Sequence, residues 1–165
     1  MTPFPHKKLL IRLGAVVGVL IAALLVLPSL IDLNSYKPMI VAQVKQATGR
    51  DLTIEGPIRL SLLPLPVVSL DGVKFANAAG AKDPNMAEVK SVIVRLSLPA
   101  LLTGAIEASE LTLVAPRINL EIDATGQPNW AFAPAAGDSG PLPVHDIRVD
   151  GGTLSFSDAR TGLSV

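Results

Sequence analysis

Between Leu9 and Leu27 the chain reads LLIRLGAVVGVLIAALLVL, and the only charge in that run is Arg12, one turn from its start. At about 1.5 Å of rise per residue the run reaches about 28 Å as a helix, close to the thickness of a bilayer's hydrocarbon layer. Lipid offers backbone N–H and C=O groups no partners, so a lipid-exposed span of this kind must be helical. Arg12 is near enough to the end for its guanidinium to reach the interface. The run predicts a transmembrane anchor over residues 9–30, preceded by a basic tail over 1–8. Lys7, Lys8 and Arg12, beside His6, stand before the apolar body, and no acidic residue occurs before Asp32. Excess Lys and Arg stay in the cytoplasm, which predicts a cytoplasmic N-terminus and export of everything beyond the anchor. A cleaved signal peptide has the same basic start. This apolar body is at the long limit for one, and the exit LPSLIDLNSY lacks a small-x-small cleavage site.

The exported remainder carries little catalytic chemistry. Of 165 residues, 14 are basic and 14 acidic, for a net charge of zero. With no basic stripe and few aromatics, the composition excludes a nucleic-acid partner. There is no cysteine, hence no disulfide framework, thiolate nucleophile or lipidated export junction. His145 is the one histidine beyond the anchor and has no nucleophile-elbow motif to serve. The carboxylates are isolated, and Asp123–Asn129 lacks calcium-loop spacing, so no metal site is expected. Asp150–Gly151–Gly152 reads as a turn, since no helix follows to hold a phosphate. Trp130 reads as a packing anchor at a turn. No catalytic residue, cofactor or metal ligand is assigned, and the chain is expected not to be an enzyme.

Residues 31–132 read as one exported unit, a short helix followed by strands. Asn34 or Ser35 can cap a helix with Pro38 in its first turn and Gly49 as its stop. Tyr36, Ile40, Val44 and Ala47 recur on one face of it. From Asp51 the period becomes two. Leu52, Ile54, Leu60 and Leu62 alternate with polar residues, interrupted at Gly56–Pro57. Val68 and Leu70 alternate, and Val73 and Phe75 continue one residue out of phase across Asp71–Gly72, as a bulge would produce. Val92, Val94 and Leu96 form the next apolar set, then Leu111 and Leu113, then Ile118, Leu120 and Ile122. Residues 133–143 are Ala/Gly/Pro-rich and read as a linker. Residues 144–165 resume strands around Leu154 and Phe156, and are expected to open a further β repeat of a longer protein.

No long helix separates these strands, which leaves a mainly β domain. The expected architecture is a curved antiparallel sheet, a meander or open groove capped by the short amphipathic helix. Leu52, Ile54, Leu60, Leu62, Val92, Val94, Leu96, Leu111, Leu113, Ile118, Leu120 and Ile122 are expected to share its concave face. They form either an open groove that a ligand would cover or a dry core under the helix.

The anchor, then LIDLNSYKPMIVAQVKQATGRDLTIEGPIRLSLLPLPVVSLDGVKFAN, then LSLPALLTGAIEASELTLVAPRINLEIDATGQPNWAF together resemble the AsmA family of bacterial envelope proteins. Thr48–Gly49–Arg50 leading to Ile54–Glu55–Gly56, the Leu62–Pro64 corner, Leu101–Gly104 and Asn129–Trp130 carry the likeness. IRVDGGTLSFSDARTG resembles that family's recurring strand–turn unit. The resemblance implies a single-pass inner-membrane protein with a periplasmic domain, related to bridge-like lipid-transfer proteins. It further implies a part in outer-membrane assembly and integrity and in phospholipid movement between membranes. The partners would be the inner membrane, phospholipid acyl chains and outer-membrane or envelope proteins. A non-enzymatic envelope scaffold with a dry sheet core is the alternative.

Overall fold

The computed structural model describes residues 5–30, 32–132 and 144–165, so the expected linker at 133–143 lies outside the described residues. The first element is a helix, α1 (Pro5–Leu30), in which large apolar side chains such as Leu10, Leu13, Val16, Leu20 and Leu25 are solvent-exposed. Among the described residues no helix is long and apolar enough to cross a membrane. A transmembrane span is therefore not shown.

A 3₁₀ turn (Leu33–Tyr36) and α2 (Lys37–Thr48) follow. Asp32, not Asn34 or Ser35, caps the turn, its carboxylate accepting from Asn34 N–H at 3.0 Å. Asn34 Oδ1 instead accepts the Ile58 N–H at 3.0 Å and ties the turn to the sheet. Gly49 ends α2 in the left-handed region at φ 74°, donating to Lys45 O as expected of a C-terminal glycine. α2 lies against the margin of the sheet and buries none of its side chains. It is not the cap over an apolar face that its periodicity suggested.

The other described residues form one open, curved, mixed sheet, with nine strands among them. β1 (Leu52–Ile54) and β2 (Ile58–Ser61) lie in line along one edge of β3 (Val67–Ala76). β4 (Asn85–Leu96) pairs antiparallel with the other edge of β3. A short helix, α3 (Leu98–Leu102), turns the chain, with Pro99 in its first turn and Ser97 as its cap. β5 (Ala108–Val114) and β6 (Arg117–Ile122) then run in line along β4. β7 (Val144–Asp150) and β8 (Thr153–Asp158) continue the plan beside β5 and β6, and β9 (Leu163–Ser164) turns back on β8.

The antiparallel expectation needs correction, because β7 is parallel to β5 and β8 parallel to β6. A parallel neighbour requires a crossover of about a dozen residues or more. The stretch between Ile122 and Val144 exceeds that, whereas a meander would need a tight turn there.

Candidate functional site

β4 has no break and keeps a constant register with β3 from Arg95 to Ala87, so alternation along it decides which side chains share a face. Val92 and Val94 point to one side and Val89 and Ala87 to the other. Val94 pairs with Val68 and Leu111, and Val92 with Leu70 and Leu113. Leu60 pairs with Val68, and Leu111 and Leu113 pair with Ile147 and Val149. These residues form a first apolar patch. Ala87 pairs instead with Phe75 and Ile118, Phe75 with Leu52, and Val73 with Ile54. Ile118 pairs with Leu154, Leu120 with Phe156, and Ile122 with Asp158. That second patch lies on the opposite face.

The predicted residues therefore divide. Leu60, Val92, Val94, Leu111 and Leu113 come together on one face. Leu52, Ile54, Ile118, Leu120 and Ile122 come together on the other, so a single shared concave face is corrected to two. Leu62 lies just beyond β2, and Leu96 closes β4 past a register shift, opposite Ala108. The phase change at Asp71–Gly72 is the visible trace of this exchange. β3 itself has no bulge against β4 there. The extra residue lies on the neighbouring edge, where Glu55–Gly56–Pro57 spans the interval taken by Asp71–Gly72.

Polar residues exchange faces in step. Behind the first patch, Arg59 pairs with Asp71, and Arg95 and Arg148 hold Glu110 at 3.2 and 3.3 Å. The Ser91 hydroxyl, with Arg59 beside it, holds the Asp71 carboxyl below the usual carboxylate range. Behind the second patch, Lys74 pairs with Glu55 at 2.6 Å, and Arg117 lies 3.7 Å from Glu88.

Aromatic side chains lie over part of the second patch, although Leu154, beside Ile118, is still 64% exposed. The Phe132 ring packs edge-on to Phe75 at 5.9 Å, and Trp130 tilts against Phe156 at 6.4 Å. Arg50 sits 5.3 Å above the Phe132 ring, as a cation on a π face. Asn129 pins this segment to β6. Its amide donates to Asn119 O at 2.7 Å and Asn77 Oδ1 at 2.9 Å, and accepts from Glu121 N–H at 3.0 Å. Trp130 is thus a packing residue in the described structure, as its place beside a turn suggested. The first patch stays half-open on β3 to β5 and opens fully on β7, where Ile147 is 67% exposed and Val149 59%. Among the described residues the buried hydrophobic side chains are Ile54, Ile58, Val73, Val89, Ala100 and Ala108, and no large one is fully enclosed.

Where the patches exchange faces, a row of unusual backbone crosses the sheet. Gly72, Ala115 and Gly151 have φ of 62°, 46° and 55° and lie in register, with Lys90 between Gly72 and Ala115. The next row holds Gly152, where an added Cβ would come within 2.8 Å of Pro116 Cγ. The small residues leave a trough of about 620 Å³ across four strands, bordered by Lys74, Glu88 and Arg117. No periodicity argument pointed to it; the sequence signal is a small residue where apolar parity flips.

His145 is exposed on β7, its Nδ1 3.3 Å from Ala108 O. Among the described residues no group of three His, Cys, Asp or Glu side chains could hold a metal ion. What the arrangement can do chemically is bind, through an apolar surface bounded by charge. No curated protein matches the chain, and no solved structure does. The model of the AsmA family matches residues 6–161, nearly the whole chain, and the chain belongs to the AsmA family.

Proposed function

We propose that this chain is a non-enzymatic envelope protein, anchored in the inner membrane by Leu9–Leu27, whose periplasmic sheet shields lipid acyl chains on its first apolar patch. Family membership supports an envelope-related function. The charge asymmetry around the apolar run supports a cytoplasmic N-terminus. The observation that carries the reading is the half-exposed face of Leu60, Val92, Val94, Leu111 and Leu113, which continues onto the exposed Ile147 and Val149 of β7. An acyl chain laid on such a surface recovers about 0.8 kcal/mol per CH₂, on the order of 10 kcal/mol in all. Passage along a strip of Val, Leu and Ile changes that energy little from site to site, so phospholipid can move along it without a cofactor. In the cell this is a contribution to phospholipid traffic between the membranes and to outer-membrane assembly.

Two measurements on the full chain test this. Protease added outside sealed inner-membrane spheroplasts should digest the region 51–158, and its protection there would overturn the topology. Protein purified in mild detergent should carry phospholipid crosslinked from position 94 or 111. Absence of lipid at both positions would favour the scaffold reading.

A further inference from the structure

The trough across the sheet borders the first apolar patch on the same face. Along β4 that face presents Val94 and Val92, then Lys90, then Glu88, and along the β5–β6 line Leu111 and Leu113, then Ala115, then Arg117. A surface that changes from aliphatic to cationic over about 7 Å, one same-face step along a strand, has the polarity profile of an amphiphile. The floor is Gly72, Ala115 and Gly151, whose small size leaves room for a group of several heavy atoms.

The charge there is unevenly spent. Glu55 pairs with Lys74 at 2.6 Å, and Glu88 lies 3.7 Å from Arg117 while also accepting from Asn85 Nδ2 at 2.9 Å. Lys90 is exposed and among the described residues has no ion pair, standing between two residues with little or no side chain. Arg117, loosely held at 3.7 Å, keeps donors free for a second acceptor. An ammonium and a guanidinium lining one trough beside an apolar strip suit a phosphoryl group, which can accept from both through charge-assisted hydrogen bonds.

We propose that this trough binds the phosphoryl headgroup of an amphiphile whose acyl chains lie on the Leu60–Val94–Leu111 patch, with Lys90 and Arg117 as the phosphate donors. The proposal rests on the lipid-shielding reading and adds the headgroup chemistry to it. The full chain in neutral-detergent micelles is titrated with dihexanoyl phosphatidic acid, dihexanoylglycerol and glycerol 3-phosphate. Wild type should bind the phosphatidic acid about tenfold more tightly than the diacylglycerol, the effect expected of charge-assisted hydrogen bonds. Lys90→Gln/Arg117→Gln should bind the two alike, with its unfolding midpoint unchanged. Lys90→Arg with Arg117 intact should keep the preference. A preference that survives in the double variant overturns the trough, as does its absence in wild type with both amphiphiles still bound; either result leaves the shielding reading standing. Failure of both amphiphiles to bind overturns the shielding reading and the headgroup site together. Glycerol 3-phosphate binding as tightly as the lipid, and lost in the double variant, retains the phosphoryl site but assigns it to a free phosphate ester.

Discussion

Single residues set the points at which this sheet can bend and end. Gly152 is one: its Cα faces Pro116, and a methyl group would sit 2.8 Å from Pro116 Cγ and 2.9 Å from its carbonyl oxygen. Backbone on one side and a ring on the other leave little room to yield. Gly152→Ala should therefore cost about 1–3 kcal/mol in chemical denaturation, the range for forced overpacking. Asp158 marks the end of β8. Its carboxylate takes the Arg160 guanidinium at 2.8 and 3.1 Å and the Arg160 N–H at 2.9 Å. The Arg160 side chain is the larger cause that draws its pKa down to about 2, and the backbone N–H the next. A depressed carboxyl stabilises the fold above its unfolded pKa of about 4 and loses that contribution as pH falls through the folded value. The melting temperature should accordingly fall between about pH 4 and pH 2. In Arg160→Gln the fall over that window should be shallower, and an identical pH profile in the variant would count against the pair.

At the scale of elements, each long strand is amphipathic twice, with its apolar side exchanged halfway. The period-two pattern within each half was legible directly: Val92 and Val94, Leu111 and Leu113, Ile118 and Leu120. The exchange was legible too, in the five-residue step from Leu113 to Ile118, which is odd where a common face needs an even one. Reading each set as an independent strand hides that step, because only pairing to the unbroken β4 shows that β5 and β6 are one line. The two faces predict opposite responses to the same chemistry. Leu111→Asp, on the half-open patch, should cost about 1 kcal/mol or less and remove bound lipid. Phe75→Asp places a carboxylate under Phe132 and between Leu52 and Ala87, where an unpaired charge should cost about 3 kcal/mol or more. Circular dichroism melts of both variants, with lipid quantified in the same samples, separate them. Loss of fold in Leu111→Asp would make the first patch a core.

For the whole molecule, the sequence by itself determined the mainly β character, because alternation of branched aliphatic and polar residues specifies strands locally. It also determined the helix over the apolar N-terminal run, the stop of α2 at Gly49 and the turns at glycine, since these depend on residues within a few positions of each other. AsmA membership was legible from the ordered series of short motifs, and the family match over residues 6–161 agrees. The tertiary structure alone decided three things. The parallel pairing of β7 with β5 depends on where a long connection returns the chain, which no local pattern encodes. Which face of the sheet carries the aromatic contacts depends on Asn129, Trp130 and Phe132 folding back over residues distant in sequence. The trough arises because Gly72, Ala115 and Gly151 fall into one row, and register is a property of paired strands, not of any one of them.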